Sequence, residues 1–229
     1  MLRQRNHFRT VVALCALFVI LTIPAMLIYP GGTVNDPTTT SYSFFTNFFS
    51  DLGRTVTPAG KPNTTAMLLF TVALTSAGLG LAFFFIIFAG FLRLSKLGRG
   101  LLVIAALFGV ASGVCFVGVA FTSANLYRSL HGEFVRWAFY LFLAAVLFCI
   151  PATLLAPAYP RRLALVFVAF ALLLAGYIIL LTTGPKASTP QGLLIQATGQ
   201  KVIAYASVLT VLIQALGAQR LSGRIQADG

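Results

Sequence analysis

Acidic residues are nearly missing from this chain: Asp36, Asp51, Glu133 and Asp228 stand against 16 Lys and Arg. None of the four falls inside a long apolar run, which argues against the carboxylate relays that proton and ion pathways place deep in a membrane. Histidine is as scarce, with His7 and His131 the only two. His131 with Asp51 and Glu133 is the one set able to hold a hard cation, and its spacing matches no metal motif, so no metal and no cofactor is implied. The three cysteines, Cys15, Cys115 and Cys149, lie inside apolar runs with no CxxC spacing. They read as small buried apolar residues rather than as zinc ligands or a disulfide framework.

What is abundant is apolar: 59% of the 229 residues are hydrophobic and 9% charged, with a mean hydropathy of +0.93. A soluble domain of this length needs far more polar surface. The chain reads as an all-α, polytopic membrane protein, one six-helix transmembrane domain over 1–229. The spans are expected at about 10–29, 66–92, 101–122, 134–155, 163–182 and 199–216, with 217–229 as a tail. The first is too long for a signal-peptide core and has no clean cleavage site, so it is read as an uncleaved helix. The formal charge of +12 sits in clusters flanking the spans, a topology signal rather than a nucleic-acid surface.

Six spans put both termini on one side. That side holds Arg3, Arg5, Arg9, Arg93, Lys96, Arg99, Arg161, Arg162, Arg220 and Arg224 with a single acid; the other holds six basic residues and three acids. The positive-inside rule then makes the termini cytoplasmic, in a chain expected in the cell's inner (plasma) membrane. Glycines at 78, 109, 113 and 118 mark surfaces where helices approach closely. Trp137, Tyr140, Tyr177 and Tyr205 read as interface or bundle aromatics.

The outer face collects the residues with chemical potential. In Ser41–Arg54 (SYSFFTNFFSDLGR), helical spacing puts Phe44, Phe45, Phe48, Phe49 and Leu52 on one side and Asn47, Ser50, Asp51 and Arg54 on the other. A short amphipathic interfacial helix is expected here, stopped by Gly53. Arg128 and His131, like Glu133 and Arg136, are three apart and share a helix face if the fourth helix starts early. Interfacial ion pairs that merely anchor loops are the simpler account of this set. The alternative is a site with Asp51 and His131 as acid and base, and Ser50, Arg54, Asn63, Arg128, Glu133, Arg136 and Lys201 as binding residues. Asn63 also suits the cap of the second helix. A Ser50–His131–Asp51 triad is disfavoured, because adjacent side chains on a helix diverge by about 100° and no GxSxG elbow surrounds Ser50.

Ser50-Asp51-Leu52-Gly53, Pro62-Asn63, and Leu130-His131 followed by Ala138 and Phe142 together resemble the bacterial and archaeal membrane family known as domain of unknown function 998. A similar SD-x-G plus histidine pattern marks the eukaryotic damage-regulated autophagy modulator and glycolipid-remodelling group, also six-helix proteins. The likeness covers most of the chain in layout. It implies a lipid-headgroup site at Asp51 and His131. One departure stands out: those families often carry an acid followed by Arg or Trp at the start of the last helix, where this chain has Gln200-Lys201. The favoured function is binding or handling of a lipid or amphiphile, with membrane lipids as partners. An intramembrane lipid hydrolase or acyl-transfer enzyme is the rival, and a scaffold or small-solute transporter subunit the third reading. A homo-oligomer or a membrane partner stays open.

Overall fold

The computed structural model describes residues 2–92 and 94–227. Arg93, counted in the charge balance above, lies outside the described residues, as does Asp228. The described residues form six α-helices: α1 (Leu2–Leu27), α2 (Thr64–Ala89), α3 (Lys96–Phe121), α4 (Arg128–Leu154), α5 (Arg161–Thr183) and α6 (Pro190–Ala227). Each is long and apolar enough to cross a membrane. At 26 residues α2 is about 39 Å long, more than the hydrocarbon thickness of a bilayer, so its ends reach polar surroundings.

Helix starts follow local chemistry rather than the edges of apolar runs. Ser95 caps α3 by accepting from the Gly98 N–H at 3.3 Å. Thr189 does the same for α6, taking the Gly192 N–H at 3.1 Å, with Pro190 in the first helical position where its missing N–H costs nothing. α6 therefore begins several residues before the expected 199, and α4, without a side-chain cap, also begins before the expected 134. The segment expected as a tail from 217 continues α6 as helix through Ala227.

Each helix packs on its neighbours in sequence, and α6 returns to α1, so the bundle closes as a ring. A column of aromatic rings fills its interior, with Phe84 stacked on Phe88 at 5.0 Å and Phe142 against Phe170 at 4.9 Å. Between α2 and α3 the backbones touch: a β-carbon at Gly113 would stand 2.5 Å from the Gly78 carbonyl oxygen. Small residues here permit the contact that bulk would prevent. Gly113→Val is therefore expected to destabilise by about 1–3 kcal/mol through overpacking. Gly100→Ala, with nothing near the added carbon, should stabilise slightly through helix propensity. Thermal unfolding in detergent checks both, and equal shifts would count against the close contact.

The segment 41–54 is where the expectation fails. It forms a turn at Phe44–Thr46 and then a 3₁₀ helix, Phe49–Gly53, in place of an amphipathic α-helix. Phe49 and Leu52 are buried while Phe44 and Phe45 are exposed, and Asn47 and Asp51 point inward. The cause is competition for backbone donors: the Asn47 Oδ1 takes the Ser43 N–H at 2.9 Å and the Asp51 Oδ2 takes the Phe48 N–H at 2.9 Å. Phe49 drives into the bundle against Phe18, Phe70 and Tyr205, with ring centroids 5.3–5.7 Å apart. Gly53 has a negative φ and serves close packing instead of an αL cap, since a β-carbon there would meet the Phe70 ring at 2.9 Å.

Candidate functional site

Three connections meet at one end of the bundle and are tied together by side-chain hydrogen bonds. The Thr55 N–H donates to Asn125 Oδ1 at 3.0 Å, and Asn125 Nδ2 returns a bond to Thr55 Oγ1 at 2.7 Å, joining the long first connection to the α3–α4 link. Asn35 Nδ2 reaches the Ala187 carbonyl in the α5–α6 link at 3.1 Å. The Phe49 N–H donates to Gln200 Oε1 at 2.7 Å, fastening the 3₁₀ helix to α6.

Asp51 is almost fully enclosed. Its Oδ2 accepts from Asn47 Nδ2 at 3.2 Å and from the Phe48 N–H, and its Oδ1 faces Arg54 Nη1 at 3.7 Å. Burial pushes the carboxyl above the ordinary carboxylate range; the Asn47 bond, Arg54, the Phe48 N–H and Lys201 pull it back only in part. Asn47 is the hub of the connection. Besides Asp51 it donates to the Gly32 carbonyl at 2.8 Å, and its own carbonyl accepts from Lys201 Nζ.

His131 lies in the first turn of α4, buried. Its Nδ1 meets the Thr122 carbonyl at 2.5 Å, satisfying a backbone acceptor at the carboxyl end of α3. A carbonyl only accepts, so Nδ1 carries the hydrogen and Nε2 of the neutral ring is the acceptor. Among the described residues no group bonds to that Nε2, which is itself enclosed.

Asp51 and His131 line one cavity of about 690 Å³, together with Ser50, Arg54, Arg128, Arg136 and Gln200. No hydrogen bond links Ser50, Asp51 and His131 to one another. Beneath the cavity an apolar pocket of about 40 Å³ shares Ser50, Val135 and Gln200 with it. A second, also about 40 Å³, shares Leu74, Phe116 and Ala204 with the first and sits in the ring interior. The polar cavity thus shares wall residues with an apolar pocket that in turn adjoins one in the ring interior.

Three residues expected at the site lie apart from this lining. Glu133 pairs with Arg136 on the half-exposed side of α4 and does not reach the cavity. Asn63 is structural, its Nδ2 donating to the Leu52 and Arg54 carbonyls at 2.9 Å each. Lys201 is 0% exposed, with its ammonium on the Asn47 and Ala197 carbonyls and near the rings of Tyr42 and Phe44. The early start of α6 explains this, placing Lys201 about 16 Å along the helix instead of at its head. Sequence reasoning missed Asn47 and Gln200 as ligands of the loop. The Asn-x-x-x-Asp spacing was the available signal for the first, and nothing local signalled the second.

Comparison of the chain with protein-family models, with curated proteins and with solved structures finds no match in any of the three.

Proposed function

We propose that the protein binds an amphiphile with an anionic headgroup, holding the headgroup in the cavity between the 3₁₀ helix and α4 and directing its chain toward the ring interior. The observation that carries this is the lining: Arg54, Arg128 and Arg136 border one cavity, and although Asp51 faces Arg54 and Glu133 pairs with Arg136, the group keeps a net positive charge, with an apolar pocket adjoining it. Guanidinium groups match phosphate oxygens in geometry and charge. The lack of any bond among Ser50, Asp51 and His131 weighs binding above hydrolysis or acyl transfer, which need a nucleophile in reach of its base. The scarcity of acids in the spans weighs against ion transport.

The same reading sets the cavity at the outer face of an inner membrane, with both termini cytoplasmic, because basic residues concentrate at the opposite end. The motifs Ser50-Asp51-Leu52-Gly53 and Leu130-His131, which carry the resemblance to domain of unknown function 998, contribute Ser50, Asp51 and His131 to this one cavity.

Native mass spectrometry from mild detergent tests the proposal. The wild type should retain an anionic glycerophospholipid, and the double variant Arg54→Gln/Arg128→Gln should weaken it at least about tenfold, as loss of charge-assisted bonds requires. Retention of only heterogeneous lipid, indifferent to the substitutions, would overturn it.

A further inference from the structure

At the end of the bundle that carries both termini, α5 and α6 enclose a second cavity, of about 220 Å³. Arg162, in the first turn of α5, and Arg220, late in α6, both line it and both are exposed. Leu163, Ile213, Leu216 and Leu221 give it apolar walls. Positions 213, 217, 220 and 221 share one face of a helix. That face exists because α6 runs on as helix beyond 216, where the apolar run stops. The protein holds these walls in place. The Tyr159 hydroxyl donates to Gln214 Oε1, and Gln214 Nε2 donates to the Leu163 carbonyl at 2.8 Å. Gly217 lets the helices close up, since a β-carbon there would stand 2.4 Å from Leu163 Cδ1. A ligand therefore meets a preformed site and loses little to ordering it.

The positive charge here has no internal counterpart. Among the described residues the carboxylates are Asp36, Asp51 and Glu133, and all three lie toward the opposite end of the bundle. Neither Arg162 nor Arg220 is in a salt bridge among the described residues. Basic pockets between membrane helices are a recurring way to hold anionic headgroups. A soluble phosphate ester would match the arginines and leave the leucines unused. A zwitterionic lipid would match the leucines, but its ammonium would oppose the arginines. We propose that this cavity binds an anionic glycerophospholipid from the adjacent leaflet, with Arg162 and Arg220 on its phosphate and an acyl chain against Leu163, Ile213, Leu216 and Leu221. The site shares no residue with the cavity between the 3₁₀ helix and α4, and it does not rest on the function proposed for that cavity.

The test places the full-length protein in phosphatidylcholine nanodiscs containing phosphatidylglycerol with a photoactivatable acyl chain. Peptide mass spectrometry after illumination locates the bound lipid. Adducts should appear within residues 213–221, and should saturate at a lower probe fraction than with photoactivatable phosphatidylcholine. Arg162→Gln/Arg220→Gln should raise the half-saturating fraction at least about tenfold. Its unfolding midpoint should not move, because both side chains are exposed. Arg99→Gln/Arg161→Gln removes the same charge from the same end without touching the lining, and should bind as the wild type does. Equal weakening in the two double variants would reduce the attraction to diffuse surface charge and overturn the proposal. Equal labelling of 213–221 by the two probes in the wild type overturns it as well, whether or not any variant folds. Soluble glycerol phosphate is the last probe. If it protects 213–221 as well as unlabelled phosphatidylglycerol does, the ligand is a free phosphate ester and the lipid assignment falls. Lipid in the cavity at the other end labels different peptides, so the two sites stand or fall separately.

Discussion

Asp51→Ala is expected to destabilise the protein by about 2–6 kcal/mol, because the Phe48 N–H and one Asn47 amide hydrogen lose their acceptor in a buried place, at about 1–3 kcal/mol each. The damage should spread, since Asn47 also holds Gly32 and accepts from Lys201. Lipid retention should fall with it, because the 3₁₀ helix carries Ser50, Asp51 and, just beyond its end, Arg54 into the cavity. Asp51→Asn separates charge from shape. Burial raises the native carboxyl above its ordinary value of 3.8, so between that value and the higher native one the folded state binds more protons than the unfolded state. Stability due to this group is then fullest below 3.8 and declines as pH rises through that window. Unfolding midpoints measured from acid to neutral pH should show this decline in the wild type and lose it in Asp51→Asn. An Asp51→Ala protein that unfolds within about half a kcal/mol of the wild type, the scale of an ordinary surface change, would reduce the carboxyl to a loop ornament.

The six helices were legible because apolar runs punctuated by basic residues leave few alternatives for a chain with so little charge. Their ends were less so. The apolar pattern stops where hydrophobic burial stops, whereas a helix continues into polar residues until its backbone groups find other partners, as at Thr189 and Pro190. That Asp51 and His131 share one end of the bundle was visible from the order of the spans, but scarcity did not separate Asp51, which lines the cavity, from Asp36 and Glu133 at the same end, which do not. The conformation of 41–54 was not visible. Periodicity presumes that backbone donors go to backbone acceptors, and here Asn47 and Asp51 intercept them. The positions of Glu133 and Lys201 required the register of α4 and α6 against the loops, and register depends on contacts far apart in sequence, such as Phe49 with Gln200.

Lys201 supports the second large expectation, in which stability and binding part company. Its ammonium bridges the Asn47 carbonyl of the first connection and the Ala197 carbonyl one turn back in α6, with the rings of Tyr42 and Phe44 5.6 and 5.3 Å away. Lys201→Ala removes this tie and leaves a hole, and should cost about 2–5 kcal/mol by analogy with other large-to-small changes in packed interiors. Lys201→Met is the more informative variant. It fills most of the volume and relieves the desolvation of a buried charge, a replacement that is often neutral or stabilising elsewhere. Against that, it leaves the Asn47 carbonyl without its donor, at about 1–3 kcal/mol. The two effects oppose, so the unfolding midpoint of Lys201→Met should stay near that of the wild type. Anionic-lipid affinity has no such compensation. Asn47 holds Asp51, and Asp51 faces Arg54, so a released loop moves a phosphate ligand directly and affinity should drop about tenfold, as for the loss of one charge-assisted bond. If Lys201→Met binds lipid as the wild type does, the lysine is packing alone, and the geometry of the cavity is set by the Asp51–Asn47 pair and Gln200 without it.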